Sequence, residues 1–333
     1  MVVERVASFQ TGTIALEGTF CADGSQKSKA IVLLLPGSGP VDRDENVSSG
    51  LNKFISNNLK TIAFHLSTQQ IASFRYDKRG VNKTRALDKT VGFNDIVDDA
   101  RKAVEYIQND AEFGSLPVYV LGHSEGGAVG TILCSEHNDI AGFVGLASPL
   151  KDFDKIVLNQ LRVILEKRTK SKEKTEKFIN AFEHAFLLMR NHDRWEDVDA
   201  ASLKDIFSPV SFGFKLLPKK TIKKAMKKQL RPQWFMESFS YDFENLASKI
   251  SCPVLLLYGQ KDYQVPVEEG RGFAQILKSN GNCDVLLHEV ADLNHMLRYN
   301  PGDMDPKSSL KSLKDDFDSR VLDLIDDWFA KRI

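Results

Sequence analysis

Cysteine is scarce, with four in 333 residues. Cys21, Cys134, Cys252 and Cys283 stand apart, with no CxxC pair and no clustered histidines, which argues against a disulfide framework and against a zinc site. Nor is either charge in excess: 45 basic and 45 acidic residues balance to a net charge of zero. That removes the general electrostatic argument for nucleic acid as the main partner. Apolar runs such as Ile31 to Leu35 are far too short to span a bilayer, and Met1 to Gln10 has no apolar leader segment. These absences predict a soluble, unexported protein of the cytoplasm with reduced thiols and no stable membrane anchoring.

What is present is a chain that is 42% hydrophobic and 27% charged, enough for a sizeable core in one large unit or one domain with an insertion. Strand patterns run over Thr13 to Phe20, Ala30 to Leu35, Ile71 to Tyr76, Val118 to Leu121 and Ile140 to Leu146. Helix-like segments lie between them at Leu51 to Ser67, Asn94 to Gln108 and Gly126 to Ser135. Strands apolar throughout belong inside a parallel sheet covered on both faces, so the alternation predicts a doubly wound α/β fold.

The rhythm breaks after Pro149. From Lys151 to Ala247 the periodicity is helical, as in Phe153, Ile156, Val157, Leu161, Ile164 and Leu165, and again in Phe178, Ile179, Phe182, Phe186 and Leu187. Strand patterns resume at Pro253 to Tyr258 and Cys283 to Val290, followed by a terminal helix over Leu310 to Phe329. The expected organisation is a core of 1–150 and 248–333 with an all-helical lid of 151–247 inserted into it.

Gly122-His123-Ser124-Glu125-Gly126 follows an apolar strand and opens a small-residue helix, Gly126-Gly127-Ala128-Val129-Gly130. Strand, sharp turn and helix are the setting a nucleophile elbow needs, because flanking side chains would clash there. A serine hydroxyl attacks poorly until a base takes its proton, and the base needs a carboxylate to orient it. Asp262 follows the strand Val254 to Tyr258 and is the candidate acid. His295, just beyond the strand Val285 to Val290, is the candidate base; His288 lies within that strand, and Asp292 is the fallback acid. Acyl transfer also needs two donors for the developing oxyanion. The backbone N–H of Glu125 is one, and the loop Leu35-Pro36-Gly37-Ser38-Gly39-Pro40 offers the N–H of Ser38 as the other.

With those residues in place the chain resembles an α/β-hydrolase of the serine-aminopeptidase-like and acetyl-xylan-esterase-like branch, which includes bacterial carboxylesterases with a helical cap. Four stretches carry the resemblance: Pro36 to Asp44, Phe74 to Val81, Gly122 to Gly127, and Pro253 to Pro266. It implies the α/β-hydrolase fold, the triad Ser124, Asp262 and His295, oxyanion donors Ser38 and Glu125, and no metal or organic cofactor. Two departures from many relatives are Pro36, where they carry histidine before the oxyanion glycine, and Gly80-Val81-Asn82-Lys83-Thr84, where they read Gly-x-Gly-x-Ser. Arg43, Asp44, Asp77 and Arg79 read as ion pairs that hold loops.

Lys219 to Arg231 is strongly basic, with Ile222, Ala225, Met226 and Leu230 on one helical face; it reads as the solvated outside of a cap helix. Trp234, Phe235, Phe239, Tyr241 and Phe243 read equally as a pocket wall or as cap core. The expected activity is cleavage of small or medium acyl esters through an acyl-enzyme, with a small-molecule ester as partner and self-association left open. Thioester cleavage, acyl transfer and aminopeptidase activity use the same triad. A non-catalytic ligand-binding protein on the same fold is the rival of another class.

Overall fold

The computed structural model describes residues 1–47, 53–84, 91–208, 217–230 and 232–333. These pack as two compact units, one within Met1–Lys89, Asp95–Leu150 and Phe243–Ile333, the other within Thr90–Asn94 and Lys151–Asp242.

The first unit is built on eight strands: β1 (Val2–Thr11), β2 (Ile14–Asp23), β3 (Ala30–Leu35), β4 (Ile71–Tyr76), β5 (Val118–His123), β6 (Ile140–Leu146), β7 (Val254–Gly259) and β8 (Val285–Val290). Their order in the sheet is β1-β2-β4-β3-β5-β6-β7-β8. The β1–β2 hairpin runs antiparallel at one edge, and every pair from β4 onward is parallel. β3, β4, β5 and β7 are buried along their whole length, as apolar strands between two helical layers must be.

Register explains how one face is filled. Val32 pairs with Tyr119, Leu34 with Leu121, Leu121 with Val144, Val144 with Leu255 and Leu146 with Leu257. Alternate residues of a strand share a face, so these side chains form rows. The rows pack on Leu59, Ile62, Ala63 and Leu66 of the helix Asn58–Thr68, and on Val321, Ile325, Trp328 and Phe329 of the helix Ser319–Phe329. Each fully buried Leu, Ile or Phe here contributes roughly 1.5–3 kcal/mol.

Three features differ from the sequence expectation. β1 carries no strand signal because most of it is exposed at the sheet edge, so no apolar alternation marks it. The first helix begins at Asn58 rather than Leu51, because Asn57 adopts a left-handed φ of 51° that no helix continues through; Leu51 lies outside the described residues. The single terminal helix is two, Pro306–Ser312 and Ser319–Phe329, each opened by a capping aspartate: Asp305 accepts from Ser308 N–H and Asp318 from Arg320 N–H.

The charged residues of the matching stretches hold the loops beside the sheet. Arg43 grips Asp77 with two nitrogens at 3.0 and 2.8 Å and also reaches Glu17 at 2.7 Å. Buried Arg75 binds Asp44 at 2.7 Å, and Arg79 pairs with Asp95 and Asp99.

The second unit is helical over Phe153–Thr169, Lys172–Arg190, Ala200–Phe207, Lys219–Leu230 and Pro232–Ser238, with a short 3-10 turn at Trp195–Asp197. The lysine-rich stretch 167–174, which joins the first two of these helices, is a break: Lys170 ends one helix at a left-handed φ of 51°, and the Ser171 hydroxyl caps the next by accepting from Lys174 N–H. Its core is aromatic. Trp234 packs on Phe153 at 4.5 Å and Phe93 at 5.5 Å, and Phe235 on Phe186 at 4.8 Å. Trp234 and Phe235 are therefore interior to this unit, Tyr241 stacks edge-on to Phe93, and Phe239 lies under Arg190; Phe243 falls in the first unit. In the basic helix Ile222 and Met226 are buried while Lys223 and Lys227 bind Glu196, the outward arrangement expected of a solvated face. Arg231 lies outside the described residues. Among the described residues no helix is long and apolar enough to cross a membrane.

Candidate active site

Ser124 stands between the end of β5 and the helix Glu125–Glu136, with φ 53° and ψ −118°. A non-glycine residue at positive φ is strained, and the surroundings hold it there. Its N–H donates to Leu146 O at 2.9 Å, and its carbonyl accepts from Gly127 N–H at 2.8 Å. The flanking glycines are steric necessities: a Cβ at Gly122 would lie 2.1 Å from Gly126 O, and one at Gly126 would lie 2.2 Å from Leu35 O.

The loops after β7 and β8 are zipped by two backbone bonds, Gln260 N–H to Val290 O at 3.0 Å and Lys261 N–H to Leu293 O at 2.9 Å. This brings Asp262 beside His295. Asn294 shapes the histidine turn, its side-chain oxygen accepting from the N–H groups of Met296 and Arg298. His295 Nδ1 lies 2.7 Å from Asp262 Oδ2, and His295 Nε2 lies 3.1 Å from Ser124 Oγ. Asp262 Oδ1 accepts from Gln264 and Val265 N–H at 2.7 and 2.9 Å. The three sequence candidates thus form one hydrogen-bonded chain. His288 sits in β8, and His295 Nδ1 is met by Asp262 rather than Asp292.

The loop after β3 lies opposite. Among the described residues the N–H groups of Ser38 and Glu125 have no protein acceptor, whereas Gly37 N–H is committed to Glu45 Oε1 at 2.6 Å. Sequence reasoning missed the groups behind this loop: Glu45, Asn58, Lys78, His123 and Arg298, all buried. Asn58 amide donates to Glu45 Oε2 at 3.0 Å, Arg298 donates to Asn58 Oδ1 at 2.8 Å, and His123 Nδ1 lies 2.7 Å from Glu45 Oε1. Burial alone would raise the Glu45 carboxyl, yet the charge and hydrogen bond of His123, with the Gly37 and Asn58 donors, hold it below its ordinary range. Burial would likewise lower His123, but Glu45 and the His295 carbonyl raise it overall. The signal that could have flagged Glu45 is weak, because it follows Arg43 and Asp44 in a charged run whose members read as ion pairs that hold loops.

A cleft of about 610 Å³ is lined by Ser124 and His295 together with apolar Val41, Phe54, Leu310 and Leu313 and polar Tyr263 and Gln264. Burial, with the charges of Asp262 and Asp305, pushes the Tyr263 phenol up to about 12, so it stays a protonated donor at neutral pH. Among the described residues no group of three or more His, Cys, Asp or Glu side chains could hold a metal ion. The arrangement combines a serine hydroxyl, an oriented imidazole and two vacant amides beside a partly apolar cleft.

Residues 47–167 match the family described as serine aminopeptidase, S33, and residues 220–314 match the prolyl oligopeptidase family. Esterase EstD of Thermotoga maritima is 28% identical over 310 residues, covering 90% of this chain. The chain spans 62% of that relative's length. Among solved structures, the Pyrococcus furiosus esterase Pf2001 aligns with a TM-score of 0.56 at 18% identity, over 98% of this chain and 91% of that one. Est1E of Butyrivibrio proteoclasticus aligns at 0.55 and 13% identity, over 98% of each chain. An acylaminoacyl peptidase of Pyrococcus horikoshii aligns at 0.56 and 10% identity, over 99% of this chain and 42% of that one.

Proposed function

We propose that this chain, a member of the α/β-hydrolase esterase and peptidase family, is a serine esterase that acts on small or medium acyl groups. The observation that carries the proposal is the chain Asp262–His295–Ser124, 2.7 and 3.1 Å across its two links, whose Ser124 and His295 line a cleft shared with apolar side chains.

In the proposed mechanism Ser124 Oγ attacks the ester carbonyl while His295 Nε2 takes its proton. Asp262 holds Nδ1–H, which keeps Nε2 free to accept and stabilises the imidazolium that forms. The carbonyl oxygen becomes an oxyanion received by the Ser38 and Glu125 amides, which need no reorganisation at that moment. His295 then returns the proton to the leaving alkoxide, giving the alcohol and an acyl-Ser124. Water, deprotonated by the same imidazole, attacks the acyl carbon; the acyl–Oγ bond breaks, the imidazolium returns the proton to Ser124 Oγ, and the acid is released. The proposal includes a cap role for the helical second unit, so substitutions confined to it should change KM across an ester series more than kcat.

Cleavage of amides is the second reading, favoured by the peptidase descriptions of both matching families. Rates on p-nitrophenyl esters of graded chain length, acyl-CoAs and aminoacyl arylamides separate the two. Turnover of the esters, lost in Ser124→Ala together with fluorophosphonate labelling, is the expected outcome. Turnover of arylamides alone would replace the ester reading, and failure of the wild type to label would favour a non-catalytic binding role.

A further inference from the structure

The two peptide groups flanking the Gly37 Cα are both held. The Gly37 N–H donates to Glu45 Oε1 at 2.6 Å, and its carbonyl accepts from Lys78 Nζ at 3.1 Å, the same ammonium pairing with the Glu125 carboxylate. Glu45 Oε1 meets His123 Nδ1 at 2.7 Å, and His123 Nε2 lies 2.8 Å from the backbone oxygen of His295. The side chains of Glu45 and His123 are 3% and 2% exposed, so solvent does not compete for these bonds. Pro36 has no N–H to anchor the start of the loop, which leaves the Gly37 peptide as the handle by which it is fixed. There is little slack: a Cβ at Gly37 would lie 3.0 Å from Glu45 Oε1 and 3.4 Å from His123 Nδ1.

The protonation state follows from the partners. A backbone carbonyl has no proton to give, so His123 Nε2 must carry one. On the other side, the Gly37 and Asn58 donors on Glu45 favour its ionised form. The Nδ1 proton therefore rests on the imidazole, and the pair is imidazolium and carboxylate, buried but mutually compensated.

We propose that Glu45 and His123 form a positioning pair that ties the oxyanion loop to the backbone of His295, holding the Ser38 amide and the imidazole in one frame around Ser124. Neither side chain hydrogen-bonds to a reacting atom; each acts through the backbone group it holds, and the His123 ring also packs against the His295 ring with centroids 4.9 Å apart. The inference rests on the reading of Ser124 as the nucleophile of an esterase.

The test uses p-nitrophenyl butyrate with the full chain. Hydrolysis by the wild type, lost in Ser124→Ala, checks the underlying reading by itself. In Glu45→Gln and in His123→Gln, kcat should fall about 10- to 100-fold with KM within about threefold, the signature of misplaced rather than missing groups. Inhibition by butylboronic acid, whose tetrahedral adduct needs the oxyanion donors, should weaken by the same factor as kcat/KM. The double variant should be no worse than the more impaired single one, because a unit once broken has no more to lose. A folded single variant with kcat within about threefold of wild type would overturn the proposal, as would a loss of kcat with boronate affinity unchanged. A further measurement needs no variant: two-bond 1H–15N correlation at about pH 7 should show both His123 nitrogens protonated, and a singly protonated neutral ring would overturn the pair even if no ester were hydrolysed.

Discussion

His295 Nδ1 lies 2.7 Å from Asp262 Oδ2, while the other oxygen of that carboxylate is already taken by the N–H groups of Gln264 and Val265. The carboxylate is thus locked in orientation and presents Oδ2 to the imidazole. Nδ1 carries the proton, and Nε2 faces Ser124 as an acceptor. In Asp262→Asn the amide would present N–H to Nδ1 or lose the bond to it, and the useful tautomer would no longer be selected. On the proposed function kcat should fall about 10³- to 10⁴-fold with KM little changed, as read by steady-state kinetics on a short p-nitrophenyl ester.

The oxyanion donors are backbone groups in this reading, so the side chain at position 38 should be expendable while its N–H is not. Ser38→Ala should keep kcat within about threefold, and Ser38→Pro, which removes the N–H, should lower it about 10²- to 10³-fold. Equal losses in both variants would place the donor elsewhere.

The elbow glycines make a prediction about folding. Gly126→Ala places a Cβ 2.2 Å from Leu35 O, a backbone atom that cannot swing away. β3 or the helix after Ser124 must shift, at a cost of about 1–3 kcal/mol. Thermal unfolding should show a Tm lowered by several degrees, and a Tm equal to that of wild type would mean the elbow is looser than described.

The Glu45–His123 pair also predicts a pH dependence of stability. Glu45 is held below its ordinary value of 4.5, so its contribution is present above that pH and is lost as pH falls through the depressed value. His123 is raised above 6.5, so its contribution is complete below 6.5 and fades as pH rises through the raised value. The difference in Tm between wild type and His123→Gln should therefore be largest near pH 5–6 and shrink on the alkaline side. A difference that grew with pH would contradict the assignment.

Acyl-chain preference should respond to the apolar residues that line the cleft. Leu313→Trp narrows it, and the rate on octanoate should fall more than that on acetate, by about tenfold in the ratio of kcat/KM. An unchanged ratio would locate the acyl chain elsewhere.

Much of this molecule is legible in its residue order because parallel strands buried on both faces are written as short, largely apolar runs. β3, β4 and β6 begin and end at the residues where those runs do. Ser124 and Asp262 follow such runs and His295 follows the mixed strand β8; loops at the carboxyl ends of parallel strands converge by topology, and the order serine, acid, histidine along the chain completes the nomination. β1 was hidden because an exposed edge strand has no apolar alternation, and the interrupted terminal helix because an aspartate reads as a cap only once the chain turns there.

Tertiary structure alone decided the second layer of the site. Glu45, Lys78 and His123 belong to three separate segments, and in sequence two of them look like ordinary charged loop residues. Burial changes what they can do. Taken out of water, a carboxylate, an ammonium and an imidazole must find partners: Glu45 and His123 find each other, the Gly37 N–H and the His295 carbonyl, and Lys78 finds the Gly37 carbonyl and the Glu125 carboxylate. Residue order determined which groups stand at the ends of the strands; only the packing of distant loops, by excluding water, determined which charges would hold them in place.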